Sequence, residues 1–225
     1  MNPLQGLCVF IFSWRKVTRN ASTLYGRVAE HFPWVKFVNC DESESPIVGV
    51  PENQTIQLDD SCYYGKQFQA AHDAMVPGNY MACITGDVEP EADWSSIAKH
   101  IGEAIRSGGF GVFAPNVEVT THVARNQPVA HATLRYLFSV PNTDCTCWVI
   151  HPAVLSVLRL LRIGERSNLG WGIDTIACHE SRVQGLHVVR DYGILVKQPP
   201  GTGYSREEAF SQQITLIHFY NQLRQ

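Results

Sequence analysis

The chain has 225 residues, of which 44% are hydrophobic and 17% charged, so it is long enough to bury a normal globular core. The formal net charge of −3 and the scattered Lys and Arg residues give no reason to expect a nucleic-acid-binding surface. The length fits one large domain or two small ones, and no linker-like stretch divides the chain.

The cysteines and the apolar segments indicate the compartment. The seven cysteines are odd in number and lie mostly in apolar runs, which favours reduced core residues of a cytoplasmic protein. Residues 7–12 lack the basic flank and the cleavage site of a signal peptide, and no stretch approaches the ~20 apolar residues that span a membrane. Cys145, Cys147 and His151 do not match a common zinc spacing.

Strand and helix patterns alternate along the chain, which predicts an α/β layered mixed sheet with helices on both faces. Short apolar runs predict strands at residues 7–12, 35–38, 47–50, 80–84, 110–114, 145–150, 187–190 and 194–196. Apolar residues at helical spacing predict helices at residues 20–32, 62–76 (with Ser61 as N-cap), 94–107, 130–137, 152–163, 175–180 and from Ser205 onward.

Polar residues follow three of the predicted strands. Ser13 follows the first strand, Asp41 the second, and Asp87 the strand at residues 80–84. Ligands of open α/β sheets bind beyond the carboxyl ends of the strands. Asp87 with Glu89 is suited to a hard cation, because such cations take oxygen ligands.

A second candidate site is the glycine-rich segment at residues 170–174. Gly170 and Gly172 allow the backbone to approach a ligand closely, and Trp171 offers a flat face against which a hydroxyl-bearing ligand could pack. Asp174 is suited to act as a base toward a hydroxyl group. The plainer interpretation is a helix-capping Asp beside a core Trp.

The order of these motifs resembles the inverting nucleotide-sugar glycosyltransferases of the GT-A fold, the large family 2 group. The series covers about residues 7–204 and consists of residues 65–74, 77–80, 84–87, 90–94, 170–174 and 196–204. The resemblance implies one GT-A domain over residues 1–225, with a nucleotide-binding part at about 1–115 and an acceptor-side part at about 116–225. It also implies a nucleoside diphosphate sugar as donor and a glycan or other hydroxyl as acceptor.

The resemblance assigns roles to individual residues. Ser13, Trp14, Asp41, Gly65, Asp87 and Glu89 would bind the donor nucleotide, and Asp87 with Glu89 would hold Mn²⁺ or Mg²⁺ on its diphosphate. Asp174 would be the catalytic base, with Trp171, Gly172 and Asp144 on the acceptor side. For each residue, a turn or a helix cap is the competing interpretation.

The chain departs from the family pattern at two positions. The family carries an Asp-x-Asp motif at this place. If the motif aligns with Thr85-Gly86-Asp87, Thr85 replaces its first aspartate; the alternative alignment is Asp87-Val88-Glu89. Gln198 stands where the family commonly has a metal-binding His; an amide oxygen still binds Mg²⁺ or Mn²⁺, but more weakly than His binds the softer ion. These departures keep open a degenerate module that binds a sugar nucleotide without turnover. A sugar-nucleotide nucleotidyltransferase is a further alternative, because it shares a layered α/β sheet and a carboxylate-bound metal.

Overall fold

The structure is a computed structural model that describes residues 2–118, 136–199 and 203–225, together with the backbone of residues 130–131. The helices of these residues are α1 (Thr18–Ala29), α2 (Tyr64–Ala74), α3 (Trp94–Ser107), α4 (Pro152–Leu160), α5 (Ile163–Arg166), α6 (Ile173–Val183) and α7 (Arg206–Leu223). The strands are β1 (Leu7–Trp14), β2 (Val35–Cys40), β3 (Thr55–Gln57), β4 (Tyr80–Thr85), β5 (Glu89–Pro90), β6 (Phe110–Val117), β7 (Ala130–His131), β8 (Leu137–Ser139), β9 (Cys147–Ile150) and β10 (His187–Lys197).

The described strands form one mixed sheet in the order β3-β2-β1-β4-β9-β6-β10-β8-β7, and β5 pairs with β10. The pairs β2–β3, β1–β2, β1–β4 and β6–β10 are parallel. Strand β9 runs antiparallel to both of its neighbours, β4 and β6. The carboxyl ends of β1, β2 and β4 therefore lie side by side at one end of the strands, the carboxyl edge of the sheet. The first residues of β9 lie at this carboxyl edge too.

The apolar run of β1 explains its central place in the sheet. Every residue from Leu7 to Ser13 is buried, as expected for a strand with helices on both faces. Leu7, Val9 and Ile11 contribute to one core, under α1 and α3. Alternate residues of the strand contribute to a second core under α2, α4 and α6.

Gly86 brings α1 close to the end of β4. A Cβ atom at position 86 would lie 2.5 Å from the Ala21 Cβ and 2.8 Å from the Phe12 oxygen. The Gly86 N–H donates to that same oxygen at 2.8 Å. The chain therefore turns directly beside α1 as it leaves β4 and presents Asp87.

Several predicted elements were wrong. Residues 47–50 are not a strand; the next strand is β3, and Ile47 and Val50 gave an apolar signal because loop residues are buried in the first core. Ser61 does not cap a helix, because α2 begins later and its N-cap residue, Tyr63, makes no side-chain capping bond.

The second half of the chain holds the other differences. Residues 130–131 and 137 belong to strands instead of the expected helix, and residues 132–135 lie outside the described part. The two short strands expected at 187–196 are one strand, β10, with an irregularity between Asp191 and Leu195. Asp174 lies in the first turn of α6 and not in the loop before it.

Within the described residues, no helix is both long enough and apolar enough to cross a membrane.

Candidate functional site

Ser13 and Trp14 end β1 at the carboxyl edge of the sheet. Ser13 is fully buried, and its carbonyl oxygen accepts a hydrogen bond from Gln67 Nε2 at 2.6 Å. Trp14 is half-buried, and its carbonyl oxygen accepts from the Thr18 hydroxyl at 3.2 Å. The Ser13 Oγ atom is buried and has no hydrogen-bond partner among the described residues.

Asp41 is buried at the end of β2 and held by hydrogen bonds within the chain. Its Oδ2 accepts from the Thr18 hydroxyl at 2.8 Å, and its Oδ1 accepts from the Ser43 N–H at 3.1 Å and the Ser43 hydroxyl at 2.5 Å. Burial alone would raise the pKa of Asp41, but these bonds outweigh it and the pKa is lowered. Asp41 is therefore an ionised group that fixes the loop after β2 to the start of α1.

Gly65 lies in the first turn of α2, against the segment that precedes the glycine-rich loop. A Cβ atom at position 65 would lie 1.7 Å from the Ser167 oxygen, and the Gly65 N–H donates to the Asn168 oxygen at 2.8 Å. This contact gives a packing reason for glycine at the position.

Asp87, Gln198 and Thr146 meet at the carboxyl edge. Gln198 directly follows β10, and its Nε2 donates to Asp87 Oδ1 at 3.5 Å. Its Oε1 accepts from the Thr146 hydroxyl at 2.7 Å. Burial raises the pKa of Asp87, although the neighbouring Thr85 hydroxyl and Gln198 amide oppose the shift. Two of the three expected metal ligands are thus in contact.

Glu89, the third expected ligand, faces other groups. It is exposed on β5, and its negative charge is among those that raise the pKa of Lys197, after the larger effect of Glu91. Within the described residues, no group of three or more His, Cys, Asp or Glu is suited to a metal ion. Asp87 and Gln198 still fit a divalent cation that takes its other ligands from water and substrate phosphates, as Mg²⁺ commonly does.

Asp174 and Asp144 both act electrostatically on the same two cysteines. After the larger effect of burial, the charges of both carboxylates raise the pKa of Cys145 and of Cys178. Asp174 Oδ1 also accepts from the Thr175 N–H at 2.7 Å, at the start of α6 where the helix dipole favours a negative charge. Asp144 Oδ2 lies 3.9 Å from Nη2 of the buried Arg190.

Trp171 packs against two other aromatic rings. Its half-buried indole donates from Nε1 to the Tyr204 hydroxyl at 2.7 Å and meets Phe210 edge-on, with the ring centroids 5.2 Å apart. Gly172 is the N-cap residue of α6, with a φ of 95° that a glycine adopts readily. The loop before α6 therefore presents an aromatic cluster beside Asp174.

Three residues of this site were not predicted from the sequence. Thr146 lies in the segment predicted as a strand at residues 145–150, where only the cysteines and His151 are weighed as ligands. Arg190 ends the strand predicted at 187–190, which in the structure continues to Lys197. Tyr64 donates its hydroxyl hydrogen to the Cys145 oxygen at 2.6 Å and accepts from Trp148 Nε1 at 3.0 Å. Nothing local in the sequence marks that bridge, because its partners lie 81 and 84 residues away.

A cavity of about 590 Å³ opens beside Asp87. It lies between α1 and the segment that leads from β4 to α3, and its lining includes Asn20, Thr23, Arg27, His31, Asp87 and Trp94. This volume is in the range of small-molecule sites.

The order of the strands and helices defines a GT-A, Rossmann-like layered α/β fold. Comparisons with solved structures find proteins that share this fold. The structure is similar to GalNAc-T7 with UDP, GalNAc and Mn²⁺, with a TM-score of 0.64 and 8% identity, over 96% of this chain and 50% of that chain. It is also similar to UDP-glucose pyrophosphorylase complexed with UDP-glucose, with a TM-score of 0.52 and 8% identity, over 96% and 99% of the two chains.

A third similar structure is the inositol-1-phosphate CTP transferase from T. maritima, with a TM-score of 0.51 and 10% identity, over 93% of this chain and 96% of that chain. No family model matches the sequence, and no curated protein matches it. At such low identities the similarity establishes the fold, and this fold is shared by a glycosyltransferase and by nucleotidyltransferases.

Proposed function

We propose that this chain is a glycosyltransferase that moves a sugar from a nucleoside diphosphate sugar to a hydroxyl of a glycan-type acceptor, with inversion. One observation carries the proposal. Residues 144–146 connect the expected donor side to the expected acceptor side: Thr146 contacts Gln198, which contacts Asp87, while Cys145 lies within the electrostatic reach of Asp174. The similarity in fold to GalNAc-T7 with UDP, GalNAc and Mn²⁺ supports a nucleoside diphosphate sugar as the donor.

In this mechanism the donor side and the acceptor side of the carboxyl edge have separate tasks. Asp87 and Gln198 would hold a divalent cation, and such a cation would supply positive charge to offset the negative charge of the diphosphate leaving group. Ser13 and Trp14, with the loop fixed by Asp41, would flank the nucleotide, whereas Glu89 acts on Lys197 and has no part in the cation site. Asp174 accepts the proton of the acceptor hydroxyl as that oxygen bonds to the anomeric carbon. Trp171, Gly172 and Asp144 would position the acceptor.

The first prediction tests the base. Asp174→Asn keeps the size of the side chain but removes its basicity, so transfer should fall by roughly 10²- to 10⁴-fold while donor affinity stays nearly constant. Transfer is measured as nucleoside diphosphate release from a panel of nucleotide sugars with glycan acceptors, and donor affinity by calorimetry.

Two control variants accompany this test. Asp73→Asn, on the outer face of α2, should leave transfer unchanged. Asp144→Asn tests the neighbouring carboxylate as a rival base. If Asp174→Asn keeps near-normal transfer while Asp144→Asn loses it, the base is Asp144 and the assignment of Asp174 is wrong.

The fold similarity to UDP-glucose pyrophosphorylase and the inositol-1-phosphate CTP transferase favours a nucleotidyltransferase as the second candidate. Such an enzyme would need a long, glycine-rich basic loop after β1 to hold a triphosphate. Here only Arg15, Lys16 and Val17 separate β1 from α1, and none is a glycine. Pyrophosphate release from a nucleoside triphosphate and a sugar 1-phosphate would support the second candidate. Donor binding without any turnover would indicate a non-catalytic module.

A further inference from the structure

The Gln198 side chain lies between a carboxylate and a hydroxyl. The contact of its Nε2 with Asp87 Oδ1 is long, at 3.5 Å, whereas the contact of its Oε1 with the Thr146 hydroxyl is short, at 2.7 Å. Thr146 is buried, and its own position is fixed because its backbone oxygen accepts from the Thr85 N–H at 2.9 Å. Thr146 is therefore the firmer of the two partners of the amide.

The chemistry of the two partners fixes the direction of the amide. An ionised carboxylate only accepts hydrogen bonds, so the NH₂ group of Gln198 faces Asp87 and its oxygen faces Thr146. In this orientation the amide presents hydrogens toward the place where a cation on Asp87 would bind. An NH₂ group cannot act as a metal ligand there, because its two hydrogens point away from the amide nitrogen and that nitrogen has no free lone pair.

A half-turn of the amide plane exchanges its oxygen and its nitrogen. The oxygen of Gln198 then faces a cation on Asp87, and the NH₂ group faces Thr146. A threonine hydroxyl is able to donate one hydrogen bond and to accept others, so it is a partner for the amide in either orientation. Valine has the same shape as threonine but neither capacity.

We propose that Thr146 is a positioning residue: its hydroxyl holds the Gln198 amide with NH₂ toward Asp87 in the absence of a cation, and holds the reversed amide when a divalent cation binds. This inference rests on the proposed metal-assisted function of the Asp87 site. The metal affinity of the site then depends on Thr146, a residue that does not itself contact the metal.

The effect of losing the hydroxyl differs between the two orientations. Without it, the first orientation leaves a carbonyl oxygen without its partner, whereas the reversed orientation leaves an N–H group without one. Orphaned N–H groups are tolerated less than under-satisfied carbonyl oxygens. Because each orientation loses one partner, Thr146→Val should weaken binding of the cation by only part of the cost of one unmade hydrogen bond, about 2- to 5-fold. Thr146→Ser should bind it as the unchanged chain does.

The experiment measures Mn²⁺ binding by electron paramagnetic resonance. The unchanged chain, Thr146→Val and Thr146→Ser are compared, each with whichever of UDP, GDP, CDP and ADP binds most tightly. In parallel, ¹⁵N spectra with Mg²⁺ follow the side-chain NH₂ signal of Gln198, assigned by its disappearance in Gln198→Met. We expect this signal to shift on addition of Mg²⁺ in the unchanged chain and in Thr146→Ser, and to broaden in Thr146→Val.

Equal Mn²⁺ affinity in all three chains, or an NH₂ signal that does not respond to Mg²⁺, would overturn the role of Thr146 and leave the glycosyltransferase proposal standing. Failure of the unchanged chain to bind Mn²⁺ with any of the four nucleotides would overturn both the inference and the metal assistance on which it rests. A circular dichroism spectrum of each variant verifies that the fold is intact.

Discussion

At the scale of single residues, His72 shows how burial changes the chemistry of a side chain away from the site. It lies on α2 at 3% exposure, with its ring 6.0 Å from that of Phe68. Burial and then the charge of Arg159 lower the pKa of His72 from 6.5 to about 4. The folded state therefore holds His72 neutral at pH values where the unfolded chain would protonate it.

The second prediction follows from this shift. Because the folded pKa lies below the unfolded value, the contribution of His72 to stability is fully present above pH 6.5 and is lost as the pH falls toward 4. Between pH 7 and pH 5 the free energy of unfolding should fall by about 2 kcal/mol through this residue, at 1.36 kcal/mol for each pKa unit. Urea unfolding at the two pH values measures the fall.

His72→Gln removes the titrating group, so its free energy of unfolding should change less between pH 7 and pH 5. His218→Gln, on the exposed side of α7, is the matched control and should retain the full fall. An equal fall in His72→Gln and in the unchanged chain would show that other groups cause the acid sensitivity.

At the scale of elements, one glycine inside a helix is tightly packed, whereas a glycine inside another helix faces open space. Gly65 in α2 packs against residues 167–168, while a Cβ atom at Gly26 in α1 would meet nothing within 4 Å. The close approach of α2 to that segment places Tyr64, whose hydroxyl hydrogen is donated to Cys145, under the candidate site. One glycine therefore determines the distance between a helix and a loop, and the other only weakens its helix.

The third prediction is that the same substitution changes stability in opposite directions at these two positions. Gly65→Ala should destabilise the fold by about 3 kcal/mol, because the backbone of Ser167 cannot move away as a flexible side chain would. Gly26→Ala should stabilise it by about 0.5–1 kcal/mol, the usual gain for alanine over glycine in a helix. Thermal or urea unfolding of both variants measures the difference, and a loss of stability at Gly26 as large as that at Gly65 would contradict the packing argument.

At the scale of the whole molecule, the sheet topology brings distant segments of the chain together. The antiparallel insertion of β9 beside β4 places residues 144–146 at the carboxyl edge, and the end of β10 adds Gln198 there. Thr146 of this segment is linked to Asp87 through Gln198, and Cys145 lies within the electrostatic reach of Asp174. If the proposed function holds, binding and chemistry should be separable by mutation.

The fourth prediction tests that separation. Asp87→Ala should weaken nucleoside diphosphate binding in the presence of Mn²⁺ and abolish transfer, whereas Asp174→Asn should reduce transfer alone. Calorimetry with the nucleotide, with and without Mn²⁺, measures the first effect, and an unchanged unfolding temperature verifies that Asp87→Ala is folded. Full activity of Asp87→Ala would refute its metal role, and a loss of donor affinity in Asp174→Asn would reassign that residue to the donor side.

The sequence by itself determined most of the layered α/β fold and the positions of the strand-end residues. The run at residues 7–12 predicted a strand buried on both faces. Ser13, Asp41 and Asp87, at or just after the ends of β1, β2 and β4, lie at one edge as predicted, because parallel strands align their carboxyl ends. Local patterns carry such information because side-chain periodicity and strand direction are properties of the chain itself. The roles of Ser13, Asp41 and Asp174 remain predictions.

Only the tertiary structure decided which residues meet at that edge. The spacing of two positions predicts Glu89 as a partner of Asp87, yet β5 pairs with β10 and the charge of Glu89 acts on Lys197 instead. Gln198 and Thr146, more than fifty residues apart, contact each other because β9 and β10 both bring residues to the carboxyl edge. Such contacts depend on strand order, which is settled by the packing of the whole sheet and not by any short stretch of sequence.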